Sequence, residues 1–252
     1  MSETHQQLIR NYGKQIMQTT HQFSPSEFTR MAKRYKKIFN PYLPVDKKAR
    51  MVDVGCGDGL FLYYLKSEGY ESIEGVDASE DRLEICRQYV TPNVHCENVL
   101  SWLEKHQGQL DVVFCHHVIE HFSGDSVYGF VERLAAALKP DGRLIITTPN
   151  ACTPWAGYNL YHDLTHYRLF SSDSLTQILA LYGIKAQIYP EAAVAFDFPS
   201  GLRWLAWKVR EAWLKLSYRI DIGGTRGDQT TPLIVSPNLM AVGYRSSTST
   251  TV

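Results

Sequence analysis

The chain has 252 residues, 44% of them hydrophobic and 21% charged, a composition that suits one large globular α/β domain. Lysine plus arginine and aspartate plus glutamate number 26 each. Because a nucleic-acid-binding protein normally carries a basic excess, no nucleic-acid partner is expected. The five cysteines lack Cys-x-x-Cys spacing and indicate reduced core thiols. The polar N-terminus shows no apolar signal region and no apolar run could span a bilayer, so we expect a cytoplasmic protein.

Residues 1–49 are expected to form a helical leader. Within them, residues 25–39 carry apolar side chains every three or four positions, which predicts an amphipathic helix with a basic outer face. Its apolar positions are Phe28, Met31, Tyr35 and Ile38. Pro41 and Pro44 would end the helix.

Residues 50–190 alternate predicted strands and helices, a pattern typical of a parallel, doubly wound sheet with helices on both faces. The predicted strands are 51–54, 71–76, 93–97, 110–115, 143–148 and 184–189. The predicted helices are 58–67, 79–90, 99–106, 124–138 and 171–182. A turn is predicted at 139–142, and residues 151–170 are expected to form a long loop rich in aromatic residues and histidine.

The first predicted strand breaks into the glycine turn Gly55-Cys56-Gly57-Asp58-Gly59. Its G-x-G-x-G spacing differs from the G-x-G-x-x-G of dinucleotide-binding turns. The next strand leads to Asp77, an acid suited to binding ribose hydroxyls. Ligands of such sheets bind at the carboxyl ends of the strands, where the turn, Asp77, Asn98 and His116 all fall. The sequence therefore predicts one shared site.

An Asp-x-Gly-x-Gly-x-Gly turn followed by an acid at the end of the next strand resembles the class I S-adenosyl-L-methionine (SAM)-dependent methyltransferases. The resemblance covers about residues 50–189. It implies a Rossmann-like, seven-stranded sheet with an antiparallel last strand, SAM as cofactor and S-adenosyl-L-homocysteine as product. It also implies that the leader of residues 1–49 packs over the cofactor as a lid. Asp53 and the amides of Gly55 and Gly57 would hold the amino-acid end, and Asn98 would replace the usual acid at the adenine amine. The implied cofactor-binding residues are Asp53, Gly55, Cys56, Gly57, Asp77, Ala78, Asn98, Val99 and His116.

The segment 115–122 resembles the Glu-His segment of ubiquinone-type methyltransferases. His117, Glu120 and His121 would lie close together if this segment were helical, and they could then hold a divalent ion. The relatives that bind an ion have Glu in place of His117, so we expect no metal. The alternative is a capping Glu120 and a packed His121.

A second segment, 162–168, resembles the Asp-x-Thr-His-x-Arg segment of methyltransferases from bacterial surface-glycan pathways. An alcohol needs a base to take its proton as the new bond forms, and histidine suits that role near neutral pH. We expect His166 as base or orienter, Asp163 as its support and Arg168 as an anion-binding residue. The candidate catalytic residues are His166, Asp163, His162 and His121. The alternative is a hydrogen-bond network that only holds the loop together.

An insertion at 191–236 is expected to precede the last core strand, 237–246, and a disordered tail, 247–252. Its segment 201–220 predicts a helix with one apolar stripe and a local charge of +4. The stripe comprises Leu202, Leu205, Val209, Trp213, Leu216 and Ile220. Tryptophan with basic residues is the composition of an interfacial helix. The helix would contact the inner face of the membrane or a lipid-linked substrate, or else form a homodimer interface or a lid.

Two other functions compete with methyl transfer. A nicotinamide-dependent reductase would need a third glycine at the position that G-x-G-x-x-G gives it, and a Tyr-x-x-x-Lys pair. The chain lacks both. A non-catalytic binding protein on this fold is the other alternative. The sequence favours a methyltransferase that acts on an oxygen, less often a nitrogen, of a small molecule, a sugar or a lipid-linked glycan, with polysaccharide biosynthesis as the expected context.

Overall fold

The computed structural model describes residues 7–9, 24–191, 201–221 and 233–246. The strands are β1 Met51–Val54, β2 Ile73–Asp77, β3 Val94–Cys96, β4 Leu110–His116, β5 Leu138–Pro149, β6 Ile184–Pro190 and β7 Asn238–Arg245. They form one sheet in the order β3-β2-β1-β4-β5-β7-β6. Only β7 runs antiparallel to its neighbours in this sheet. The predicted fold class is therefore confirmed.

Helices cover both faces of the sheet. They are α1 Pro25–Phe39, α2 Leu60–Ser67, α3 Glu80–Tyr89, α4 Val99–Glu104, α5 Ser126–Ala137, α6 Ala156–Tyr161, α7 Ser172–Leu181 and α8 Gly201–Asp221. The buried side chains of α1, α2 and α3 share one hydrophobic cluster, and those of α4, α5 and α7 share the other. Because successive strand side chains point to opposite faces, Val112 and Phe114 of β4 join the first cluster and Val113 and Cys115 the second.

The predicted N-terminal helix is confirmed, and α1 is part of the core. Its aromatic side chains pack edge-on against the sheet and α2, with ring centroids 5.6 Å apart for Tyr35 and Phe61 and 5.0 Å apart for Phe39 and Phe114. Through these contacts α1 shares one hydrophobic core with α2 and the sheet. The division into a leader of residues 1–49 and a core of residues 50–190 stays a prediction.

Several predicted bounds differ from the structure by one or two residues, and three differences concern the turns and the long loop. Helix α2 begins at Leu60 and not at residue 58, because Gly59 has a φ of 83° and still belongs to the turn. The turn predicted at 139–142 lies within β5 as an irregularity, since Leu138 and Arg143 pair with β4 on either side of it. The loop predicted at 151–170 contains α6.

The segment between β6 and β7 leaves and re-enters the sheet at adjacent points. The Glu191 amide donates to the Asn238 carbonyl at 3.2 Å. Buried Asn150, at the end of β5, donates from Nδ2 to the carbonyls of Ile234 and Ser236 at 2.8 Å each. The predicted last strand is confirmed as β7, whereas the predicted disordered tail lies outside the described residues. Within the ranges the structure describes, the helices all lack the length or the apolarity needed to cross a bilayer.

Candidate active site

A cavity of about 520 Å³ opens at the carboxyl ends of β1, β2 and β4. It lies where the strand order reverses between β1 and β4, the usual ligand position in open α/β sheets. Most of the predicted site residues line it: Asp53, Gly55, Cys56, Asp77, Ala78, Asn98, Val99, His116, His117, His121, His162, Asp163 and His166. The expected cofactor-binding group and the expected catalytic group therefore share one chamber. Gly57 and Glu120 are not among the lining residues.

Asp77 is fixed at the end of β2 by two backbone amides. Its Oδ2 accepts a hydrogen bond from the Gly57 amide at 2.9 Å, and its Oδ1 accepts one from the Ser79 amide at 2.8 Å. The Gly55 amide donates to the Val76 carbonyl at 2.7 Å. The turn thus closes on its neighbouring strand, and the expected contact of the Gly55 and Gly57 amides with the cofactor, directly or through water, stays a prediction. Gly57 positions Asp77.

The glycine turn leaves no room for side chains. Gly55 has a φ of 74°, and a Cβ there would lie 2.4 Å from Val118 Cγ2. At Gly57, with a φ of 50°, a Cβ would lie 2.2 Å from the Arg82 guanidinium. Arg82 crosses the turn because its Nε bonds Asp58 Oδ1 at 3.0 Å. Sequence reasoning missed Arg82, since 24 residues separate the pair and no motif links them.

Asp53 lies at the end of β1 with only 3% of its surface exposed. Burial raises the pKa of this carboxyl well above its ordinary value, and the neighbouring charge of Asp77 adds to the effect. Arg82 acts in the opposite direction. A positively charged ligand group beside Asp53 would favour its ionised form.

Asn98 has a different role from the one expected. Its Oδ1 accepts hydrogen bonds from the amides of Leu100 at 2.9 Å and Ser101 at 3.4 Å, so it caps the N-terminus of α4. The oxygen expected to accept from an adenine amine is therefore already used. Val99 and Leu100, which follow the cap, line this part of the cavity.

A hydrogen-bonded histidine–glutamate pair lies beside His116, with His117 at the cavity wall. His117 Nδ1 lies 3.0 Å from Oε1 of the fully buried Glu120. Burial opposes both charges, yet the hydrogen bond and mutual attraction outweigh it, raising the pKa of His117 and lowering that of Glu120. His116 differs, because burial and the adjacent His117 lower its pKa well below the ordinary value. These shifts favour the neutral form of His116 and the charged forms of His117 and Glu120.

The set of possible metal ligands is not the predicted one. Donor atoms of Glu120, His121 and His166 lie within 4.8 Å of one another and could hold a divalent ion, whereas His117 pairs with Glu120. Both Glu120 oxygens already accept protein hydrogen bonds, Oε1 from His117 and Oε2 from Thr148 Oγ1 at 3.2 Å. A metal would have to compete with them.

The hydrogen bonding of His166 leaves one of its ring nitrogens able to accept a proton. Its Nδ1 lies 2.7 Å from the Asn159 carbonyl. Because a carbonyl only accepts, Nδ1 carries the proton and Nε2 carries the lone pair. Asp163 Oδ2 lies 3.8 Å from Nε2, while Asp163 Oδ1 accepts from the Thr165 amide at 2.8 Å and hydroxyl at 2.6 Å. Asn159 thus sets the tautomer, and Asp163 faces the atom that would receive a proton.

His162, His121 and Arg168 differ in their surroundings. His162 Nδ1 lies 3.1 Å from the same Asn159 carbonyl, but its side chain is exposed. His121 Nδ1 lies 3.2 Å from the Thr165 carbonyl, and burial lowers its pKa. Arg168 donates to the Gly124 carbonyl at 2.6 Å and is not among the lining residues, so the expected anion-binding role is not supported.

Some lining residues were not predicted as site residues: Tyr35, Arg82, Asn159 and Asn238. Tyr35 was noted only as part of the apolar face of α1, which indicated burial but not contact with the cavity. Asn159 and Asn238 lie in segments with no local motif. Their positions follow from the paths of α6 and β7.

Comparisons with known proteins identify the family. A family model described as "Methyltransferase domain" matches residues 17–187. A "Ubiquinone biosynthesis O-methyltransferase" of Rickettsia felis is 34% identical over 118 residues, 46% of this chain and 47% of the relative. The chain thus spans about half the length of the curated relatives it matches.

Solved structures show the same fold. A SAM-dependent methyltransferase from Archaeoglobus fulgidus superposes with a TM-score of 0.61 at 22% identity, covering 86% of this chain and 94% of the other. Phosphoethanolamine N-methyltransferase 2 of Haemonchus contortus, in complex with S-adenosyl-L-methionine, has a TM-score of 0.58 at 14% identity and covers 95% and 60%. The nicotinamide-reductase alternative is thereby set aside. The chain belongs to the methyltransferase-domain family, and its fold is the one that these SAM-dependent methyltransferases share.

Proposed function

We propose that this enzyme methylates a hydroxyl oxygen of a small, largely apolar acceptor, with His166 as the base. The observation that carries the proposal is one cavity that contains both Asp77 and the His166–Asp163 pair. The cofactor-binding end and the proton-accepting end therefore face the same space.

The cofactor supplies a methyl group activated by a sulfonium. Asp77 would accept hydrogen bonds from the ribose hydroxyls, because its carboxylate is buried, oriented by two amides and lines the cavity. Asp53 would face the positively charged amino-acid end, where a cation favours its ionised form. Val99 and Leu100 would provide an apolar wall for the adenine.

Methyl transfer forms a carbon–oxygen bond as the carbon–sulfur bond breaks, and the hydroxyl proton must go elsewhere. His166 Nε2 would take it, because Asn159 keeps the other ring nitrogen protonated. The imidazolium that results would be stabilised by Asp163 Oδ2 at 3.8 Å. Asp163 stays in place through its bonds to Thr165. A positioned base of this kind typically contributes about 10²–10⁴ in rate.

The acceptor is inferred from the cavity wall and from the relatives. Apolar side chains, including Val118, Phe122 and Pro149, line the cavity, as expected for a site that binds a ring or an alkyl chain. The curated relatives are named as O-methyltransferases of ubiquinone biosynthesis, which supports an oxygen acceptor. The sugar or lipid-linked glycan expected from the sequence stays a prediction.

The test compares two histidines that bond to the same carbonyl. In His166→Ala, methyl transfer to phenolic acceptors should fall by about 10²–10⁴, while the calorimetric Kd for SAM changes less than about twofold, since the cofactor end is untouched. The matched control, His162→Ala, removes an exposed imidazole and should keep most of the activity. Full activity in His166→Ala would refute the proposed base. Transfer to free sugars but not to phenols would refute the proposed acceptor.

A further inference from the structure

Helix α8 presents a stripe of large apolar side chains to solvent. Trp213 is 63% exposed and Ile220 is 70% exposed. The stripe consists of Leu205, Val209, Trp213, Leu216 and Ile220. At 1.5 Å per residue it extends for about 22 Å, and at 100° per residue it covers an arc of roughly 80°. Contiguous exposed apolar patches mark interaction surfaces.

Basic residues flank both edges of this apolar stripe. On the helical wheel Lys208 and Arg219 lie about 40–60° beyond one edge and Arg210 about 60° beyond the other, and all three are exposed. Over residues 201–221 five basic residues face two acidic ones, a surplus of three positive charges in a chain with net charge +0. An apolar stripe between basic flanks is typical of a helix that lies in the interface of an anionic bilayer. Trp207, by contrast, is half-buried on the opposite side.

A second group of exposed apolar side chains lies beside α8, on and around α6. Arg210 Cζ lies 5.7 Å from the centre of the Trp155 ring, which links the two helices. The exposed members of this group are Trp155, Tyr158, Tyr161 and Leu164. Tyrosine and tryptophan favour the level of the lipid headgroups. The same segment carries Asn159 and His162, which line the cavity.

We propose that this surface, the α8 stripe together with the α6 group, docks on an anionic phospholipid membrane and places the cavity mouth at the bilayer surface. A second copy of the chain is the competing occupant, but pairing two stripes would bring their basic flanks together, and like charges repel. Anionic headgroups neutralise the same flanks. The docking does not depend on the proposed acceptor, so vesicle binding tests it without any measurement of methyl transfer.

The experiment is co-sedimentation of the full chain with vesicles that contain phosphatidylglycerol and with vesicles of phosphatidylcholine alone. We expect binding to the anionic vesicles only, weakened by salt. The double variant Leu205→Ser/Leu216→Ser should reduce the partition coefficient by about tenfold or more. The control Val45→Ser/Leu181→Ser changes two apolar residues that are 95% and 67% exposed elsewhere, and it should bind like the natural chain.

Three results would overturn the proposal. The first is no sedimentation with anionic vesicles, and the second is equal binding to neutral ones. The third is a dimer in solution that the stripe variant dissociates while vesicle binding stays unchanged. Calorimetric SAM binding by both double variants verifies that they fold, because the cavity lies within the core.

Discussion

Replacing Asp77 by Asn tests the cofactor site with little change in side-chain volume. The carboxylate accepts from the Gly57 and Ser79 amides at 2.9 and 2.8 Å, and we propose that it also accepts from the ribose. An asparagine has one acceptor oxygen, so its NH₂ group must face one of the two amides, donor against donor. The substitution therefore affects both the stability of the fold and the affinity for SAM.

The two effects have different sizes and different assays. A buried amide left unsatisfied should lower the free energy of unfolding by about 1–3 kcal/mol, which urea titration measures. Loss of the charged acceptor for the ribose should cost about 1.5–3 kcal/mol in binding, which raises the Kd for SAM about 10- to 100-fold. Isothermal titration calorimetry at a temperature where the variant is folded measures this loss separately.

Asp163→Asn is the matched control for Asp77→Asn. Asp163 is also buried and also accepts the amide of the residue two positions on, Thr165, at 2.8 Å. Its turnover should fall, because the imidazolium of His166 loses the neighbouring carboxylate, while its Kd for SAM changes less than about twofold. An unchanged Kd in Asp77→Asn, or an equal loss of affinity in both variants, would refute the assignment of Asp77 to the ribose.

Three further predictions concern the turn, the buried acid and a metal. Gly55→Ala combines a positive φ with a clash and should lower the free energy of unfolding in urea by about 2–5 kcal/mol. The control Gly69→Ala, with a φ of 84° and open space around it, should lower it by about 1–2 kcal/mol. Equal losses would contradict the clash. Because burial raises the pKa of Asp53 and a cationic ligand favours its ionised form, SAM binding should release a proton and tighten as the pH rises. Calorimetry in buffers of different ionisation enthalpy measures that proton, and its persistence in Asp53→Asn would contradict the assignment. Because both oxygens of Glu120 already accept protein hydrogen bonds, turnover should survive dialysis against EDTA; a loss restored by a divalent ion would identify a metal site.

The sequence predicts those parts of the site that depend on local spacing. The glycine turn and Asp77 follow from the strand-turn-helix pattern, because carboxyl ends of parallel strands must meet at one edge of the sheet. Arg82 was not predictable in this way, since its contact with the turn depends on how α3 packs. The role of Asn159 was equally hidden, because it acts on His166 through a backbone carbonyl that every residue type possesses.

Two predicted site residues, Asp163 and Asn98, make contacts that spacing along the chain does not predict. Asp163 was predicted to support His166, and its carboxylate lies 3.8 Å from the ring nitrogen Nε2. Spacing along the chain shows that two side chains are near each other but not which atoms meet. Asn98 shows the same limit, because an amide at a strand end can cap the next helix as readily as bind a ligand.

Asn150 and the Glu191–Asn238 bond hold the two ends of the β6–β7 insertion side by side. Closing a loop between neighbouring anchor points costs little more when the loop is longer, since each doubling of its length adds only about 0.6 kcal/mol. Evolution could therefore lengthen, shorten or exchange this segment while the strands and the catalytic chamber stay as they are. Replacing this one insertion could in this way direct the same domain to different cellular surfaces.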